Sequence, residues 1–173
     1  MNAVQLASEL TLYAIIIVAV VQDCRSMKIS NRLILLGLVL SLVFGIILGR
    51  TSEFLYILGN IFFPVILLYL LYLLGVLGAG DIKLFSVIGA FTDFKTLTRC
   101  ILASFFVGAG IAIVKLIANR SLRDSLWRSF LYLRALAKGE RYSYREVCPK
   151  ENLMHFSVAI FIGLMAARGW SLL

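Results

Sequence analysis

Histidine occurs once in the 173 residues, as His155, and no H-E-x-x-H stands anywhere in the chain. That excludes a zinc protease of the usual helix-borne kind, which needs two imidazoles on one helix face with a glutamate between them. A Ser-His-Asp hydrolase would have to use His155, and no serine sits on a Gly-flanked elbow near it. The three cysteines, Cys24, Cys100 and Cys148, are odd in number and widely spaced. They offer neither a disulfide framework nor a C-x-x-C ligand pair, so they read as free thiols packed as small hydrophobes, with no metal and no cofactor expected. The first residues lack a positive n-region, and no small-residue cleavage site follows the first apolar run. A removable signal peptide is therefore not expected, and the first helix should stay.

What is present is apolar length. Hydrophobic residues make up 61% of the chain and the mean hydropathy is +0.97, values that suit a bilayer rather than water. The expected fold is all-α, a polytopic membrane protein forming a single domain over residues 1–173 with about six transmembrane helices. The first span is read from Val4 to Gln22, the second from Leu33 to Gly49, and the third from Phe54 to Leu77 with a kink at Pro64. Gly45 and Gly49 have the small-xxx-small spacing that lets helices approach closely. The fourth segment, Ile82 to Phe91, is too short to cross a full bilayer unless residues on either side are included, which suggests a helix in a wet, protein-lined cavity. The fifth span is Leu97 to Ala118, with Gly108, Ala109, Gly110 and Ala112 suited to tight packing. The sixth runs from about Asn152 to Ala167, with Arg168 and Trp170 as interfacial anchors.

Charge orients this bundle. With six crossings, thirteen of the 17 Lys and Arg fall on one side, among them Arg25, Lys28, Arg32, Lys83 and the basic stretch from Asn119 to Lys150. Arg50, Lys95, Arg99 and Arg168 fall on the other. The first side is expected to be cytoplasmic and both termini external, in a cell membrane. The net charge of +8 then reflects topology and anionic lipid rather than nucleic acid. Within the basic stretch, Leu122, Leu126, Phe130, Leu133 and Ala137 recur at helical spacing away from Arg123, Arg128 and Arg134. That pattern predicts an amphipathic cytoplasmic helix between the fifth and sixth spans, lying in the headgroup plane in preference to docking an acidic partner.

The chain is organised around Gly78-Ala79-Gly80-Asp81-Ile82-Lys83-Leu84, where a carboxylate and an ammonium stand between two apolar segments. Ionisable groups at such places are costly in lipid and point to function. Gly78 and Gly80 are expected to let the backbone leave helical geometry and to admit another backbone close to Asp81. A second carboxylate, Asp23, ends the first span on the same side and is followed by a polar link through Lys28, Ser30 and Asn31. Two carboxylates at the ends of separate helices can share one proton and activate a water between them. Each residue also has a plainer reading. Asp81 fits a glycine-rich helix junction, His155 an interfacial position, and Asn31 a helix cap.

The two motifs together resemble the type IV prepilin peptidases, intramembrane aspartyl proteases of the G-x-G-D type. Residues Gly78 to Leu84, continuing to Gly89-Ala90-Phe91, look like that family's G-x-G-D-x-K-L signature and the Gly-Ala stretch after it. Asp23 followed by Lys28-Ile29-Ser30-Asn31 resembles the first catalytic aspartate with its basic residue and Ile-Pro-Asn tripeptide, Ser30 replacing the proline. The resemblance implies catalysis by Asp23 and Asp81, with Gly78, Gly80, Lys83, Lys28 and Asn31 shaping the substrate site. Lys83 either stabilises charge beside the pair or anchors at the headgroups, the latter being preferred. The implied substrate is a prepilin-like or preflagellin-like membrane protein whose leader is cut at the cytoplasmic face, with pilus assembly machinery as a further partner. Longer family members carry paired cysteines in a segment associated with N-methylation. Such pairs are missing here, so the short peptidase-only members serving Flp or Tad-type pili or archaeal flagellins are the nearer comparison.

The alternative from another class is a non-catalytic membrane scaffold or a small ion-coupled transporter, which also places carboxylates at helix breaks. No internal repeat is found, and the two carboxylates lie toward one face rather than at the midplane.

Overall fold

A computed structural model of the chain describes residues 3–49, 53–74, 76–118 and 156–169. All six elements in this part are helices: α1 (Ala3–Ser26), α2 (Asn31–Ile47), α3 (Phe54–Leu73), α4 (Ala79–Phe91), α5 (Phe94–Ala118) and α6 (Phe156–Gly169). The stretch Asn119 to Lys150 with its expected amphipathic helix, as well as Cys148, His155 and Trp170, lies outside the described residues. Three helices are long and apolar enough to cross a membrane, α1, α3 and the Phe94–Val114 part of α5. The others are shorter, α2 with 17 residues, α6 with 14 and α4 with 13.

The shortest helix is the centre of the molecule. α4 packs against each of the other five, and Leu84, Phe85, Val87 and Ile88 are completely buried. Its middle is therefore enclosed by packed side chains rather than standing in a wet cavity, because its surface is apolar on every side and other helices can cover it. Contact at this density requires missing Cβ atoms. Gly37 of α2 faces Val87, whose Cγ1 would lie 2.9 Å from a Cβ placed there. Gly89 faces the backbone carbonyl of Asn60 on α3, where a Cβ would overlap the oxygen.

That carbonyl lacks its usual helical donor for a reason legible in the chain. Pro64, four residues on and fully buried, has no N–H to give it, so α3 has a gap in its ladder where Gly89 sits. The Asn60 side chain completes the junction, its Nδ2 donating to the Thr92 carbonyl over 3.1 Å in a buried site. Thr92 ends α4, and the next residue, Asp93, starts α5 by accepting the Thr96 N–H at 3.1 Å and the Thr96 hydroxyl at 2.6 Å. Burial pushes the Asp93 carboxyl up. The Thr96 hydroxyl and the backbone N–H groups of Thr96, Asp93 and Lys95 outweigh it and hold the group below its ordinary value.

Two packing expectations change. Gly49 is the residue that stops α2, at φ 70° with its N–H on the Ile46 carbonyl 3.0 Å away, and not a helix contact. Gly110 has nothing within 4 Å of a Cβ, and Ala109 and Ala112 are exposed. Gly108 is buried, and a close approach on α5 is found about a turn before it, where Gly163 of α6 rests on Ser104 and on the Cys100 carbonyl. α5 and α6 form the most extensively packed helix pair.

Candidate active site

α1 does not end at Asp23 but runs one turn further, to Ser26. Its stop is Met27, which adopts φ 53° and donates its N–H to the Asp23 carbonyl at 2.8 Å. Left-handed geometry in a side-chain-bearing residue costs roughly 1 kcal/mol and is usually left to glycine. Asp23 therefore stands in the last turn of a helix, half-buried, with the Lys28 to Asn31 link folding back over that end.

Hydrogen bonds fix that link. The Ser30 N–H donates to Gln22 Oε1 at 3.0 Å, and the Ser30 hydroxyl accepts the Arg32 N–H at 3.3 Å, making Ser30 the N-cap of α2. Asn31, expected as the cap, is instead the first helical residue. The reason is backbone geometry, since Ser30 has the extended φ −66°, ψ 130° that a cap requires. That φ is also the value to which proline is confined. We expect Ser30→Pro to keep the backbone path: the freedom that proline removes from the unfolded chain offsets the lost cap and N–H bond, and stability changes by no more than about 1 kcal/mol. Thermal melting checks this, and a collapse of stability would show that the hydroxyl and N–H are indispensable.

Asp81 lies in the first turn of α4, not in a break before it. Gly78 is the N-cap, at φ −77°, ψ 148°, and its N–H donates to Asp81 Oδ2 at 3.1 Å. This is the carboxylate half of a capping box; Gly78 has no side chain to supply the other half. The carboxylate also sits at the positive end of the helix dipole. Gly80 is inside the helix and does not unwind it. Its missing Cβ makes room for Ile29, whose Cβ would be 3.3 Å away. The expected close approach at Gly80 thus exists, but the visitor is the side chain of the Asp23 link.

Lys83 closes the second tie between the two motifs, its Nζ donating to Asn31 Oδ1 at 2.9 Å. Both side chains are exposed, so this bond contributes little energy, but it joins the start of α2 to the start of α4. Lys28 is exposed, and its carbonyl accepts the Ser26 hydroxyl at 3.1 Å. Asp23, Gln22, Ile29, Ser30 and Asn31 are thereby gathered with Gly78, Gly80, Asp81 and Lys83 at one end of the bundle.

One neighbour is not among the expected site residues. Ser157, in the first turn of α6, donates its hydroxyl to Asp23 Oδ2 at 2.7 Å. At the other end of the same antiparallel helix pair Arg168 meets Glu9 at 2.7 Å, so Arg168 is an ion-pair partner as well as a residue at a helix end. This second pair borders a cavity of about 790 Å³ with Glu53, Tyr56, Asp93 and the end of α4 in its lining. Asp81 stands in the first turn of the 13-residue α4, and the rise from it to Phe91 at that end is about 15 Å of helix axis. Among the described residues no three His, Cys, Asp or Glu side chains are grouped to hold a metal ion.

No curated protein and no solved structure matches the chain. A family model does, over residues 10–113. The matched segment covers more than half of the 173 residues and contains both aspartate motifs and the helices that bring them to one end. The chain belongs to the type IV leader peptidase family.

Proposed function

We propose that the protein is an aspartic endopeptidase that removes the leader of prepilin-like membrane substrates at the cytoplasmic face, with Asp23 and Asp81 as the catalytic pair. The observation that carries this reading is the keying of the Asp23 link onto the start of α4, through Ile29 on Gly80 and Asn31 on Lys83. Two helix-borne carboxylates held by such a junction can divide the work of peptide hydrolysis. One takes a proton from water as the oxygen adds to the scissile carbonyl, and the other protonates the departing amine as the C–N bond breaks. No covalent intermediate is required. Gly78 and the exposed Lys28 and Lys83 would border the path of an extended leader, and the substrate's apolar helix would lie in lipid beside the bundle. Co-expression with a separately supplied prepilin tests the proposal. The prepilin should shorten by the length of its leader; an unchanged size, with both proteins in the membrane, would count against it.

The proposed orientation has a native reporter. Cys24 is exposed beside Asp23, whereas Cys100 is buried. A membrane-impermeant maleimide should leave Cys24 unmodified in intact cells and label it after permeabilisation. Labelling of the Cys24 peptide in intact cells, read by mass spectrometry, would place the aspartates on the outer face.

A further inference from the structure

We infer that Ser157 is a positioning residue that holds the Asp23 carboxylate in its working orientation, an inference that rests on the reading of Asp23 as catalytic. Ser157 is completely buried and its hydroxyl crosses from α6 to α1 to reach Oδ2 at 2.7 Å. The other buried hydroxyls among the described residues bond locally, Ser41 to the Leu38 carbonyl and Thr96 to Asp93 at the start of its own helix. Ser86, Thr92 and Ser104 each turn back to the carbonyl four residues earlier, on Ile82, Ile88 and Cys100, which is the common way for a helical hydroxyl to satisfy itself.

The donor is itself held. Phe156, the preceding residue, has its ring centroid 6.5 Å from that of Phe85 on α4 and 5.7 Å from that of Phe105 on α5. Ala159 and Ile160 are fully buried just after it. A hydroxyl so fixed, donating to one oxygen of a half-buried carboxylate, restricts rotation of that carboxylate about its Cβ–Cγ bond. The carboxylate is thereby oriented before substrate arrives. Ser157 lies outside the 10–113 segment that carries the family assignment. Its role thus makes α6 a working part of the site rather than only its wall.

The test uses the full-length protein in lipid with a purified prepilin as probe, comparing Ser157→Ala, Ser157→Thr and Asp23→Asn. Ser157→Ala should lower kcat on the order of 10- to 100-fold, the worth of a hydrogen bond to a charged group, with KM within about 2-fold and an unchanged melting temperature. Ser157→Thr, which keeps the hydroxyl, should recover most of the loss. An Ala variant with wild-type kcat, or one whose loss lies in KM, overturns the inference when Asp23→Asn is inactive in the same assay. A loss that comes with a lowered melting temperature and is not recovered by Thr also overturns it, because the residue would then only pack. Cleavage by Asp23→Asn at the wild-type rate would overturn the catalytic reading of Asp23 itself.

Discussion

Asp23→Asn and Asp81→Asn are each expected to reduce prepilin cleavage by roughly 10²- to 10⁴-fold, the usual worth of a positioned acid or base, while leaving the protein folded and inserted. Asparagine retains an oxygen that can accept the Ser157 hydroxyl at position 23 and the Gly78 N–H at position 81. The structural cost should therefore stay within about 1 kcal/mol. What is lost is the ability to exchange a proton. Since neither carboxylate can complete the cycle alone, the double variant should be little worse than either single one. Asp93→Asn is the control. Asp93 caps α5 at the far end of α4, and asparagine caps a helix as well as aspartate does, so cleavage should remain near normal. Cleavage rates normalised to membrane-inserted protein decide the matter. Additive losses would mean that the two aspartates act in separate steps.

A second large effect is expected from Gly163→Leu. A Cβ at this position would overlap the Ser104 hydroxyl oxygen and come 2.7 Å from the Ser104 nitrogen and 3.0 Å from the Cys100 carbonyl oxygen. Two of these are backbone atoms of α5 and have no rotamer to move to. The most extensive helix interface must therefore open, at a cost on the order of 3 kcal/mol or more. Ser104→Ala should not repair the variant, because the nitrogen stays where it was. Gly110→Ala provides the contrast. Nothing lies within 4 Å of its Cβ, and exchanging a helical glycine for alanine should leave stability unchanged or raise it by up to about 1 kcal/mol. Thermal melting of the two variants in one detergent would show the difference, and equal melting temperatures would refute the close α5–α6 contact. Because Ser157 is carried on α6, Gly163→Leu should also lose cleavage.

These two glycines show where the sequence is and is not informative. Both lie in apolar helices, and small-residue runs drew attention to Gly110 rather than Gly163. A glycine's surroundings depend on which helix crosses it, and that is a property of the bundle. The aspartate motifs were legible because their chemistry is local: a carboxylate at a helix end among glycines is unusual in an apolar chain, and the order of segments put both on one side. The means by which they are joined was not. Ile29 on Gly80 and Asn31 on Lys83 span roughly fifty positions of chain, and Ser157 stands 134 residues from Asp23. No spacing rule reaches so far.

Helix ends were misplaced for a related reason. Met27 carries the left-handed turn that sequence rules assign to glycine or asparagine, so nothing in the sequence marks the true end of α1. Ser30 and Asn31 are both good caps, and only φ and ψ distinguish the one that serves. Pro64 removes one donor from the third helix, which nevertheless runs on from Phe54 to Leu73. Its compensation, a glycine on α4 set against the freed carbonyl and an Asn60 side chain tied to Thr92, could be known only once α3 and α4 were seen together.

The most direct measurement of the central claim is cleavage in a defined system: purified protein in vesicles containing anionic lipid, a purified prepilin, and mass spectrometry of the products. The wild-type chain should hydrolyse one peptide bond, immediately before the substrate's apolar helix, and Asp81→Asn under identical conditions should leave the prepilin intact. Robust cleavage of that bond by purified Asp81→Asn would contradict the account, because the catalytic role assigned to the Asp23 and Asp81 pair would then belong to other groups.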